Sequence, residues 1–252
     1  MRIESAALSD CGKIRDSNED SFIADSENAV FIVADGMGGH AAGETAGRMA
    51  ALTAAEILLN PNPRLCPEEQ LLEAVKQANA RVYETQYSNP ACRGMGSTLT
   101  ALIFRGGNYH LAHVGDSRAY MLRDGKLEQL SRDHSHVWQL YKSGEITKEE
   151  ISRHPRKNLI TRCIGMSPEI EADFARGPAL ENDIYLLCSD GLTDILTDGD
   201  IQRILTDSGR RPEKACELLV YAANAGGGPD NITAVVVSLL PVQVISGQKN
   251  PP

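Results

Sequence analysis

The stretch LTALIFRGGNYHLAHVGDSRAYMLRDGKLEQL, Leu99 to Leu130, decides the fold. Apolar runs at 99–104, 109–114 and 118–123 are each closed by a turn pair: Gly106-Gly107, Gly115-Asp116 and Asp124-Gly125. A fourth run, 126–130, follows the last pair directly. Asp-Gly between two such runs is a strong hairpin signal, because two-residue hairpin turns need residues that accept positive φ. Consecutive hairpins predict a largely antiparallel sheet. Working outward, short apolar runs at 30–34, 184–188 and 232–239 complete the predicted strands.

Helical spacing predicts two long helices, over about 44–59 and 67–87, the second with Leu71, Leu72, Val75, Ala78 and Val82 on one face. Pro67 suits a first helical position. Two later helices are expected over about 198–205, with Thr197 as its cap, and 212–224. Helices grouped away from runs of hairpins predict helix layers packed on antiparallel sheets, an α+β architecture. The pattern changes over 132–165, which holds His134, His136 and His154 and short helical pieces near 147–152. That segment reads as a surface subdomain, and its histidines as surface residues. No repeat or linker divides the chain, so one domain over 1–245 is expected, with 246–252 as an unstructured tail.

The chain has 252 residues, 42% of them hydrophobic and 23% charged, which gives ample core and excludes global disorder. Thirty-four acidic against 25 basic residues leave a net charge of −9, which argues against a nucleic-acid or anionic-membrane surface. Six scattered cysteines, Cys11, Cys66, Cys92, Cys163, Cys188 and Cys216, form no CxxC pair and read as reduced core residues of an intracellular protein. The N-terminus lacks the apolar stretch of a signal peptide, and the longest apolar run, 234–245, is too short to span a bilayer. A cytoplasmic monomer is the expectation.

Four aspartates sit at the ends of apolar strands: Asp35, Asp116, Asp190 and Asp230. A fifth acidic cluster is Asn18-Glu19-Asp20. Taken singly, Asp-Gly and Pro-Asp-Asn are ordinary turn chemistry. Taken together, carboxylates emerging at one sheet rim would repel one another unless a cation sat among them. Oxygen-only ligands favour magnesium, manganese or calcium, and no His or Cys spacing suggests zinc. Two such ions a few ångströms apart would activate a water for phosphoester hydrolysis. Arg15, beside these acids, is a candidate phosphate clamp, against the plainer reading of a surface arginine paired with Asp16 or Glu19.

The turn from Asp35 to Gly43 follows a strand and opens a helix. Residues 36–41 fit a GxGxxA dinucleotide pattern, the main rival reading. Against it, Asp35 would face the pyrophosphate, and the acidic residue expected about twenty positions on falls near Glu56, inside a helix. No P-loop motif occurs. Such glycines also let the backbone approach a metal, with a carbonyl as ligand. His40 is a candidate proton donor.

With these residues in view, the sequence resembles the protein phosphatase 2C (PPM) family of metal-dependent Ser/Thr phosphatases in its compact bacterial form. The motifs run in order: Arg15-Asp-Ser-Asn-Glu-Asp20, Val33-Ala-Asp-Gly-Met-Gly-Gly-His40, Gly96-Ser-Thr98, His113-Val-Gly-Asp-Ser-Arg118, Cys188-Ser-Asp-Gly-Leu192 and Gly228-Pro-Asp-Asn-Ile-Thr233. The resemblance implies an α-β-β-α four-layer sandwich of two antiparallel sheets flanked by helices, with the metal centre at one rim and a flap subdomain over 132–165. It implies that Asp35 bridges two manganese or magnesium ions, that the Gly36 carbonyl ligates one, and that Asp190 and Asp230 complete the other site. Glu19 and Asp20 would hold metal-bound waters, Asn231 would orient its turn, Asp116 with Asp190 would bind a third ion, and Arg15 would bind phosphate. Where many eukaryotic members carry a histidine after Asp-Gly, this chain has Met37, which cannot donate a proton. The resemblance further implies phosphoprotein substrates of a eukaryotic-like Ser/Thr kinase. A metal-binding pseudophosphatase and a nucleotide-binding oxidoreductase stand as the competing readings.

Overall fold

The structure, a computed structural model, describes residues 1–39, 41–151 and 153–241. The expected tail, the domain boundary at 245 and the candidate acid His40 lie outside the described residues. The chain runs β1 (Arg2–Asp10), β2 (Asp20–Asp25), β3 (Val30–Met37), α1 (Ala41–Leu59), α2 (Pro67–Ser88), β4 (Gly96–Ser97), β5 (Leu99–Arg105), β6 (Asn108–Val114), β7 (Arg118–Arg123) and β8 (Lys126–Gln129). It continues through α3 (His136–Ser143), α4 (Lys148–Ile151), β9 (Asp173–Pro178), β10 (Ile184–Cys188), α5 (Asp190–Thr193), α6 (Asp198–Asp207), α7 (Pro212–Ala225) and β11 (Ile232–Leu240).

The two turns that anchored the reading are hairpins. Asp124 and Gly125 have φ of 50° and 74° and join β7 to β8, and Gly106 and Gly107 join β5 to β6 in the same way. The third turn is different. Residues 115–117 do not close a hairpin, because β6 and β7 lie in different sheets. One sheet has the order β1-β11-β10-β7-β8 and the other β2-β3-β5-β6-β9, with β4 on β3. The pairing of consecutive strands expected here is therefore replaced by a crossing from sheet to sheet.

Alternation along the strands fills three apolar layers. Phe31, Val33, Leu102, Leu111, Tyr185, Leu187, Val235 and Val237 meet between the sheets. Val30, Ile32, Ala34, Ala101 and Ile103 face α1 and α2. Leu186, Cys188, Ala234 and Val236 face α6 and α7. Strands buried on both faces read as continuous apolar runs, which is why the central strands are so plain in the sequence. Helices outside two facing antiparallel sheets make the expected α+β sandwich.

Local signals set the helix ends. Thr197 caps α6 by accepting from Asp200 N at 3.2 Å, and Thr197 N donates in turn to the Asp200 carboxylate at 3.3 Å. Pro67 and Pro212 open α2 and α7. Cys92, Cys163, Cys188 and Cys216 are buried, but Cys11 is only partly so and Cys66 is exposed, so the reading of all six as core residues holds for four. All six are free thiols. Among the described residues no helix is long and apolar enough to cross a membrane.

Candidate active site and metal centre

Strand register brings the two sheets' acidic ends to one rim. In the first sheet Cys188 at the end of β10 pairs with Ala234 near the start of β11 and with Arg118 at the start of β7. Asp190, Asp230 and Asp116 therefore leave the sheet at the same end. In the second, Asp20 at the start of β2 pairs with Asp35 near the end of β3. The crossing at 115–117 runs from the end of β6 to the start of β7, so the rims of both sheets coincide.

The two halves are stitched by short polar bonds. Asp20 Oδ2 accepts from Ser189 Oγ at 2.7 Å and from Thr233 Oγ1 at 2.6 Å, both from the opposite sheet. Asn231 accepts from Glu19 N at 2.8 Å and donates to the carbonyls of Cys11 at 3.0 Å and Ser17 at 2.8 Å. It thus fixes the loop that carries Arg15 and Glu19, a wider task than the orientation of its own turn. Asp35 N donates to Thr98 Oγ1 at 2.8 Å, and Thr98 N donates back to the Asp35 carbonyl at 2.9 Å. The Gly96-Ser-Thr98 segment is thereby the support of Asp35.

The electrostatics follow from this crowding. Burial first, then Asp20, Asp190, Asp116 and Asp230, hold the Asp35 carboxyl far above the ordinary carboxylate range. Asp190 is raised likewise, by burial and then by Asp116, Asp194, Asp230 and Asp20. Burial and the neighbouring Asp133 push Asp116 up to about 7. Burial pushes Asp20 up to about 6 even though Thr233 and Ser189 stabilise its charge. Arg15 is partly buried, which disfavours its charge, but the ion pair with Asp230 at 2.7 Å more than offsets that. About half of the Arg15 side chain remains exposed, so its other N–H groups are open to a ligand.

These residues fit hard divalent cations. Asp20 Oδ1 and Asp116 Oδ1 are buried with no hydrogen-bond partner, and an uncompensated buried oxygen of this kind is costly. The donors are all oxygens, as manganese and magnesium prefer. Among the described residues no three His, Cys, Asp or Glu side chains close on one ion by themselves.

Several residues of the site had no signal of their own. Arg118 grips Asp133 with Nε at 3.0 Å and Nη2 at 2.6 Å, and Asp133 stands beside Asp116. A cleft of about 370 Å³ opens next to Asp116 and Asp190 and is walled by Trp138, Lys148, Lys157 and Asp194. Lys157 pairs with Asp194, and Lys148 with Asp198 at 3.4 Å, so the segment carrying α3 and α4 is strapped across to α5 and α6. His134 is not a surface residue as expected. It is buried, its N–H donates to the Gly115 carbonyl at 2.7 Å, and its Nδ1 accepts from Gly115 N at 3.1 Å. His136 and His154 face each other as a ring pair in that segment. The sequence marked Asp133 only as one more charge, because its role depends on Arg118 folding back from another strand.

Comparison with known proteins agrees with this geometry. A family model described as Protein phosphatase 2C matches residues 14–218. The serine/threonine phosphatase stp of Listeria innocua is 38% identical over 90% of this chain and 92% of its own. The crystal structure of the Mycobacterium tuberculosis serine/threonine phosphatase PstP/Ppp superimposes with a TM-score of 0.89 at 39% identity, over 96% of this chain and 100% of that one. A structure of the catalytic domain of PstP in complex with two manganese ions gives 0.86 at 38% identity, over 95% and 99%.

Proposed function

The chain belongs to the protein phosphatase 2C family, and from that premise we propose a metal-dependent phosphatase of phosphoserine and phosphothreonine whose centre is the rim of Asp35, Asp116, Asp190 and Asp230. The observation that carries the reading is the convergence of these carboxylates at one rim, where burial and the neighbouring acids raise Asp35 and Asp190, beside a half-exposed Arg15. Asp35, the Gly36 carbonyl, Asp190 and Asp230 would hold two manganese or magnesium ions. Asp116 with Asp190 would take a third. Bound there, such ions supply Lewis acidity and a water of lowered pKa for in-line attack on phosphorus.

The protein's own residues do the rest. Arg15 offers a planar fork of N–H donors to phosphoryl oxygens, which fixes the group and stabilises charge as it shifts to the leaving oxygen. Asn231 and Thr98 keep the Glu19 loop and Asp35 in place, so little reorganisation is left to the reaction. Glu19 and Asp20 would order the water around the ions. Uncatalysed phosphate-monoester hydrolysis is so slow that the barrier must fall by roughly 20 kcal/mol or more. Positioning and charge stabilisation are the effects able to supply it. The substrates we propose are phosphoproteins made by a eukaryotic-like Ser/Thr kinase, met by a monomer in the cytoplasm.

The test is phosphate release from a phosphothreonine peptide with manganese, with a chelator, and with Asp35→Asn in manganese. Release that requires manganese and falls by orders of magnitude in Asp35→Asn is expected. No release in any condition, from folded protein that still binds manganese, would replace the enzyme by a phosphoprotein-binding module.

A further inference from the structure

The Glu19 loop and the end of β3 press on the first turns of α1 with no room for one more carbon atom. Gly43 and Gly47 lie four residues apart, on one face of the helix. A Cβ on Gly43 would fall inside the Glu19 carboxylate, against Oε2 and Cδ. On Gly47 it would stand 2.5 Å from the Glu19 carbonyl oxygen and 3.2 Å from Gly36 N. On Gly36 it would run into the Gly43 carbonyl and stand 2.8 Å from that of Glu19. None of the three has a positive φ, so glycine is needed here for space rather than for backbone conformation. Gly36 N donates to the Glu19 carbonyl at 3.2 Å, and Asn231 holds Glu19 N from the other side. Farther along the helix Ala50 and Ala54 are fully buried, so the small face continues into the core.

We propose that Gly43 is a positioning residue, a seat on α1 that confines the Glu19 carboxylate against the metal-binding rim, while Gly47 leaves room for the Glu19 backbone carbonyl. The inference rests on the proposed role of Glu19 in ordering water around the metal pair. A carboxylate wedged between a helix backbone and the rim has few rotamers to choose from, and a group that supports metal ligands acts best when so confined. A methyl at position 43 evicts the carboxylate without touching any ligand.

The test is manganese binding by titration calorimetry for the parent protein, Gly43→Ala, Glu19→Ala and the double variant, with metal-free melting recorded for each. Gly43→Ala and Glu19→Ala are each expected to weaken manganese binding about tenfold or more. The double variant should bind no more weakly than Glu19→Ala, since the new methyl then displaces nothing, and it should melt at or above Gly43→Ala. If the two losses add in full, or if Gly43→Ala binds manganese like the parent, the seat is overturned while the role of Glu19 stands. Unchanged affinity in Glu19→Ala overturns both. Should Gly43→Ala alone fail to fold, recovery of folding in the double variant supports the wedge and continued failure overturns it.

Discussion

His113 is wholly enclosed, with Thr100 Oγ1 2.9 Å from Nδ1 and the Gly115 carbonyl 3.0 Å from Nε2. A carbonyl only accepts, so Nε2 carries the proton and Nδ1 accepts from the Thr100 hydroxyl. The ring is thus a neutral strut that holds the carbonyl next to Asp116. Burial, then the adjacent His134, keeps its pKa down at about 4, below the 6.5 of an exposed histidine. Between those values the folded protein binds fewer protons than the unfolded chain. The stabilisation is therefore complete above about pH 6.5 and is lost as pH falls toward about 4. Nitrogen-15 spectra of the ring should show the neutral Nε2–H form at pH 5.5, and an imidazolium there would contradict this arrangement. The cysteines behave differently from a nucleophile in the same way. Burial raises the Cys188 thiol to about 12, which keeps it inert beside the site.

At the scale of elements, two glycines separate conformational cost from steric cost. Gly125 has φ 74° and open space around its missing Cβ, so alanine there meets only backbone strain. About 1 kcal/mol is expected, a fall in Tm of roughly 2–4 °C. Gly115 has φ 110°, and a Cβ would stand 2.6 Å from Thr98 Cγ2. Gly115→Ala should therefore melt clearly below Gly125→Ala in parallel thermal scans, and equal shifts would refute the crowding. Elements that bury both faces, such as β5 and β11, were legible as apolar runs, and β7–β8 was legible through its turn. Besides the two-residue β4, the strands that escaped were β1, β2 and β9. All three are sheet edges, half buried and mixed in polarity, so neither alternation nor a continuous run announces them. Periodicity also says nothing of which strand pairs with which, so β6 and β7 looked like neighbours. The four aspartates stood out in the sequence because each borders an apolar run. Asp133, Gly43 and Gly47 did not, because each matters only through a residue brought to it by the fold.

Across the whole molecule, the rim exists only where both sheets end together. Ligands that bind the folded form alone stabilise it by mass action, about 2.7 kcal/mol at a hundredfold excess over Kd. Manganese should accordingly raise Tm, a chelator should lower it, and Asp35→Asn should lose most of the rise. A melting point indifferent to manganese would place the ions elsewhere. The register of the first sheet carries one more consequence. β1 pairs with β11 along its whole length, Arg2 with Leu240 through Asp10 with Ile232. During synthesis β1 thus waits for β11, which sits between β1 and β10 rather than at an edge. Asp230 arrives just ahead of it. A nascent chain that has not yet reached β11 therefore has neither a closed first sheet nor Asp230 in place at the rim.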